Sequence, residues 1–192
     1  MIYVVTGFMR SGTSMMMGCL KAGGLPIVAD DARDAWAREY NDTRYSNNPR
    51  GLYEPRQHDM REPGFPRQHD GYAVKLVIPY LQFMAVHEYR VVMLLRDPEE
   101  IRQSYYAAFR ARLSPDFPTK YPRIVDEAVQ TLHNRKDVVS LHTFQLREFW
   151  HQNTTPFRTL IEAGWPIDPL KAAQYEDTSL NRFRIESLVV GA

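Results

Sequence analysis

The stretch IYVVTGFMRSGTSMMMGCLKA, Ile2–Ala22, decides the fold. Ile2–Thr6 is apolar and β-branched without alternation, the pattern of a strand covered on both faces of a parallel sheet. Ser14–Ala22 reads as a helix closed by Gly23-Gly24, with Pro26 just beyond as a stop signal. Between the two runs Gly7-Phe-Met-Arg-Ser-Gly-Thr-Ser14, a glycine-bounded loop leading from a strand end into a helix N-terminus. That arrangement aims successive backbone N–H groups at an anion. Its spacing is that of the nucleotide-binding loop GxxxxGK(S/T), with Thr13 where the lysine belongs. The cation is instead Arg10, inside the loop, whose guanidinium can fork two hydrogen bonds onto a phosphate- or sulfate-like group. Without the loop lysine a triphosphate tail is hard to neutralise, so a nucleoside triphosphate is not the natural ligand.

Working outward, three more apolar runs read as strands: Tyr72–Ile78, Arg90–Leu95 and Val138–His142. Helical patterns separate or follow them at Pro98–Arg112, Arg123–Asn134, Pro156–Ala163 and Pro169–Tyr175. The alternation predicts an α/β three-layer sandwich, a mainly parallel sheet of about four or five strands flanked by helices. A chain of 192 residues fits one such domain. The exception to the alternation is Asn41–Gly71, crowded with Asn, Pro, Gly, Arg and Asp and lacking either period. A segment of that length in a compact domain is expected to be a lid or binding loop. Trp36, Tyr40, Tyr45 and Tyr53 supply it with aromatic surface. Within it PRQHD occurs twice, at Pro55–Asp59 and Pro66–Asp70. The paired His-Asp steps His58-Asp59 and His69-Asp70 invite a metal reading, but nothing in so polar a stretch fixes ligand geometry. A local duplication facing solvent is the preferred reading, and no metal is expected.

A second anion site follows the third run. Arg96 stands at the carboxyl end of a buried strand, where open α/β sheets bind their ligands. Ser104 lies eight positions on, within the helix that Pro98 opens, and arginine plus hydroxyl make a phosphate clamp.

Composition narrows the partners. Lys and Arg total 24 against 23 for Asp and Glu, which leaves no charge excess to hold a nucleic-acid backbone. The single cysteine, Cys19, excludes an internal disulfide and a cysteine-based zinc site and suits a reducing compartment. No apolar run approaches a membrane-spanning length and no signal peptide is recognisable, so a cytoplasmic location is expected.

The two anion motifs together resemble a known family. RSGTS at Arg10–Ser14 is similar to the 5′-phosphosulfate loop of sulfotransferases that use 3′-phosphoadenosine 5′-phosphosulfate (PAPS). LRDPEEIRQSYY at Leu95–Tyr106 resembles that family's 3′-phosphate motif, with the same eight-position separation of arginine and serine. NNPRGLYEP at Asn47–Pro55 and DTSLNRFR at Asp177–Arg184 are similar to segments of a bacterial branch of sulfotransferase-like proteins. The resemblance implies a P-loop-type fold and a phosphosulfate held by Arg10, Ser11, Gly12, Thr13 and Ser14. It also implies a 3′-phosphate held by Arg96 and Ser104. The chain departs from the cytosolic branch at Lys75-Leu-Val-Ile-Pro79, where Val77 takes the place of that branch's histidine base. The late Arg-Lys-Gly segment of that branch is absent, and Arg182 and Arg184 are the candidate substitutes.

Sulfuryl transfer asks a protein to align nucleophile with leaving group and to stabilise developing charge. Arg10, the loop amides and Lys75 are the expected stabilisers, and Glu54 is the candidate base for an acceptor hydroxyl, with His58 the runner-up. For Lys75 a polar place at a strand rim, and for Glu54 a solvated carboxylate pairing with Arg50 or Arg56, are equally open readings. The expected acceptor is a carbohydrate or other small molecule. Two other functions stay open: a P-loop kinase with Asp97 as its magnesium aspartate, and a nucleotide-binding protein without turnover. Met15, Met16 and Met17 are expected to pack on the sheet and Cys19 to be a buried small hydrophobe. His87, His133, His142 and His151 are read as structural, with Trp150 and Trp165 anchoring the last helices.

Overall fold

The computed structural model describes residues 1–32, 34–35, 52 and 54–176. Trp36, Tyr40, Tyr45, Tyr53, most of Asn47–Pro55 and all of Asp177–Arg184 lie outside the described residues, Arg182 and Arg184 among them.

Among the described residues five parallel strands form one sheet in the order β2-β3-β1-β4-β5. They are β1 (Ile2–Gly7), β2 (Ile27–Val28), β3 (Ala73–Val77), β4 (Tyr89–Leu95) and β5 (Val138–Gln145). The centre of the sheet is β1, β3 and β4, and these strands are buried almost throughout because helices cover both faces. Alternation along each strand sends its side chains into two separate cores. Tyr3, Val5, Val92 and Leu94 meet α1 (Thr13–Ala22), α6 (Thr155–Glu162) and α7 (Pro169–Gln174) on one face. Val4, Val74, Leu76, Val91 and Met93 meet α2 (Gln57–Arg61), α3 (Phe65–Gln68) and α5 (Phe117–His133) on the other. A further helix, α4 (Pro98–Phe109), packs through Ile101 with Phe8, Phe117 and Tyr121 at the carboxyl end of the sheet. The result is the three-layer sandwich that the alternation predicts.

Met16, Met17 and Cys19 are buried on α1 and Met15 packs against the same core. Trp165 is buried with its ring centroid 5.0 Å from that of Tyr3. Among the described residues no helix is long and apolar enough to cross a membrane.

Several sequence expectations need correction. The two-residue strand β2 is unmarked by any apolar run. β5 runs to Gln145, and as the end strand of the sheet it is half-exposed instead of covered on both faces. α5 begins at Phe117, not Arg123, and carries Pro122 inside it. A proline there removes a single helical hydrogen bond, a loss that the apolar face of Phe117, Tyr121, Ala128 and Leu132 outweighs. The Asn41–Gly71 segment is not structureless throughout, since α2 and α3 lie within it. The two PRQHD copies do not share a structure: Gln57-His58-Asp59 is helical, whereas His69-Asp70 falls beyond the end of α3. In each copy the proline is buried and most of the polar remainder faces solvent.

Candidate anion site

The loop between β1 and α1 is shaped by two glycines and one strained arginine. Gly7 ends the strand where a Cβ would stand 2.3 Å from the Ser11 hydroxyl and 2.6 Å from the Leu94 carbonyl. The Ser11 N–H closes a turn onto the Phe8 carbonyl at 3.1 Å. Arg10 sits within that turn at φ 72°, a left-handed conformation that costs a non-glycine residue ~1–2 kcal/mol. Gly12 caps α1 at φ 99° with no side-chain cap, and no acidic residue occupies the first turn. By contrast α4 and α7 begin on Asp97 and Asp168, whose carboxylates accept the first helical N–H groups. The positive end of α1 is therefore not offset by a carboxylate of its own first turn.

The two motifs read from the sequence converge here. The Arg10 side chain donates from Nε to the Ser104 hydroxyl at 3.1 Å. Arg96 donates from Nη1 to the Arg10 backbone carbonyl at 3.0 Å and from Nε to the Glu100 carboxylate at 2.8 Å. The Arg96 N–H also donates to the Tyr121 hydroxyl at 3.4 Å. Glu100 and Ser104 stand one helical turn apart on α4, both buried. Sheet order explains the meeting: β4 pairs with β1 directly, Gly7 opposite Leu94, so the segments after these two strands start side by side.

On the other flank β3 brings in Lys75. Its register partner is Val5, and like Ala73 it points to the α1 face. Its side chain is 3% exposed, and its ammonium donates to the Ser14 hydroxyl at 3.0 Å and to the Leu52 carbonyl. The Glu54 carboxylate lies 3.2 Å away. Leu52, at φ 66°, is held from its other side as well, its N–H donating to the buried Asp34 carboxylate at 2.8 Å.

Of the residues singled out in the sequence, the structure gathers Arg10, Arg96 and Ser104 into one network and Ser14, Glu54 and Lys75 into another. The first holds the loop at its middle, at Arg10, and the second at its helix end, at Ser14. Ser11 behaves differently from its neighbours. Its hydroxyl is fully buried under the loop in the space that Gly7 leaves, without a hydrogen-bond partner among the described residues. Thr13 is buried at the start of α1. Val77 ends β3 and is buried. His58 stands apart on α2, 78% exposed, near Asp59 and Glu62, and none of its described ion pairs reaches the loop. Asp97 spends its carboxylate on the N–H groups of Glu99 and Glu100 at 2.8 and 3.2 Å.

Glu100, Asp34 and Leu52 were not foreseen. The four-residue spacing of Arg96 and Glu100 signals an ion pair, yet the same glutamate also reads as an ordinary first-turn acid. Leu52 acts through its backbone, which leaves no trace in residue type. Among the described residues no cluster of His, Cys, Asp and Glu is arranged to hold a metal ion.

Compared with known protein families the chain matches none, and no curated protein sequence is significantly similar to it.

Proposed function

We propose that the protein is a PAPS-dependent sulfotransferase acting on a hydroxyl of a small-molecule or carbohydrate acceptor. The observation that carries the reading is the hydrogen bond from Arg10 to Ser104, together with that from Arg96 to Arg10. These bonds bring a sulfate-type loop and an arginine–serine clamp into one site. The residues present suit such a donor: Arg10, Lys75 and Arg96 set three cations against the carboxylates of Glu54 and Glu100, beside an α1 N-terminus without an acidic first turn. Bound there, PAPS supplies an activated sulfuryl group on a phosphate leaving group.

The protein's share of the work follows from its own residues. Arg10 and the first N–H groups of α1 hold the anion at the loop. Ser104 and Arg96 hold the second phosphate. Lys75, fixed from below by Ser14, brings a positive charge to the β3 flank of the loop in a site shielded from water. Glu54 takes the proton of the acceptor hydroxyl, and the neighbouring ammonium keeps its carboxylate beside the loop. Asp97 is committed to capping α4, which weighs against the kinase reading. The lone buried Cys19 suits a reducing, cytoplasmic setting.

Calorimetric titration with 3′-phosphoadenosine 5′-phosphate (PAP), alongside ATP with magnesium, tests the proposal. The wild type should bind PAP, and Ser104→Ala should weaken it about tenfold through the lost hydroxyl. Arg96→Lys, which keeps the charge beside Glu100 but loses the fork, should weaken it at least as much. Binding of ATP-magnesium without PAP would sink the reading and return the kinase.

A further inference from the structure

We infer that Glu100 is a positioning residue of the anion loop, acting on the Arg10 backbone through Arg96. The inference rests on the anion-loop part of the proposed function and not on the identity of the donor. Its basis is a chain of three contacts. The Glu100 carboxylate accepts from Arg96 Nε at 2.8 Å, which fixes the plane of a guanidinium that is itself nearly buried. The same guanidinium reaches from Nη1 to the Arg10 carbonyl at 3.0 Å. Arg10 is the loop residue held in the left-handed region, at φ 72°. A non-glycine residue persists in that conformation only where its surroundings over-determine it. Here the surroundings include a charged hydrogen bond onto its carbonyl and the Ser104 hydroxyl on its side chain.

Geometry makes Glu100 the origin of this support. It stands one turn before Ser104 on the buried face of α4, so the helix presents the carboxylate and the hydroxyl to Arg96 and Arg10 as one rigid pair. A buried guanidinium without its carboxylate would turn toward other acceptors or water, and Arg10 would lose the bond that holds its peptide. Anion affinity at the loop is therefore set partly by a residue on another helix that need not touch the anion. The arginine of the second phosphate site and the loop of the first are one mechanical unit.

Hydrogen–deuterium exchange of the full chain, without ligand, tests this on wild type, Glu100→Gln and Arg96→Lys. In both variants exchange at residues 9–14 should rise about tenfold relative to wild type, the scale of one lost charge-assisted hydrogen bond. Exchange in β3 and at the α6–α7 junction, which share none of these contacts, serves as the control for general destabilisation. Glu100→Asp, which keeps the charge, should fall between wild type and Glu100→Gln. An unchanged loop, or a rise equal to that of the control segments, overturns the inference. Titration with PAP and with adenosine 5′-phosphate then separates the two readings. Glu100→Gln should weaken adenosine 5′-phosphate as well as PAP, and PAP by at least the same factor because Arg96 also serves its second phosphate, whereas weakening of PAP alone would overturn the link to the loop. If wild type shows no preference for PAP, the sulfotransferase reading fails while the exchange result still stands.

Discussion

The Lys75 ammonium lies 3.2 Å from the Glu54 carboxylate, and the pair joins β3 to the segment after Leu52 with the lysine almost wholly out of water. Glu54→Gln removes one charge and keeps the shape. Losing one partner of a buried pair costs ~3–5 kcal/mol, and the lower end applies because Glu54 retains some solvent. The double variant Glu54→Gln with Lys75→Met should recover most of that loss in urea unfolding, since no lone charge is left buried. Turnover separates the roles: Glu54→Gln should lower it by about 10²–10⁴, as loss of a base does, and the double variant should not restore it.

Gly7→Ala should destabilise the fold by ~2–4 kcal/mol, the sum of overpacking and positive-φ costs. The new methyl would meet the Ser11 hydroxyl and the Leu94 backbone carbonyl. Adding Ser11→Gly relieves only the first contact, so the double variant should recover part of the loss. Full recovery would show that the β4 backbone yields.

How much of this was legible in the sequence depends on which atoms carry the information. β1, β3 and β4 announce themselves because both faces are covered and each strand is apolar throughout. β2 has two residues and inherits its place from β3, so no local pattern marks it. The apolar face that marks Arg123–Asn134 does not reveal the true start of α5 at Phe117, because the helix runs on through Pro122, a residue that helix interiors disfavour. At the site, Arg10, Arg96 and Ser104 were readable because their chemistry resides in side chains at fixed spacing. Leu52 was not, since it contributes a carbonyl and an N–H. Glu54 was readable as a carboxylate but not as the partner of Lys75, because it lies outside any strand or helix and only the tertiary path of its segment past β3 brings the two together.

Asp97→Ala should cost ~1 kcal/mol as a lost helix cap, and Asp97→Asn, which can still accept from Glu99 and Glu100, a fraction of that. Neither should alter nucleotide affinity. If Asp97→Asn abolished a magnesium-dependent affinity at full stability, the aspartate would be a metal ligand and the kinase reading would gain.

Asp137 gives the fold an acid-sensitive contact away from the loop. Burial pushes its carboxyl up, but the Arg135 guanidinium, which meets both oxygens at 2.6 and 3.0 Å, and the His87 N–H outweigh this and hold it below the ordinary carboxylate value. A depressed carboxyl contributes stability that is present above its unfolded value of about 3.9 and lost as pH falls through the folded one. Asp137→Asn should therefore melt lower than wild type at neutral pH. The gap should close once the medium is acid enough to protonate the wild-type group. Thermal melts across that range check the sign, and a constant gap contradicts it.

The order of the strands also sets when the site comes into being. Tyr3 in β1 pairs with Ala73 on one side and Arg90 on the other, so the central strand must wait for partners some 70 and 87 residues away. Closing such distances before any pairing rewards it makes folding slow. The loop, the arginine after β4 and the lysine of β3 occupy their places only when both long-range pairings are complete. Anion binding is thus a reporter of the last stage of folding: a partly folded chain, however helical, has nothing with which to hold the ligand.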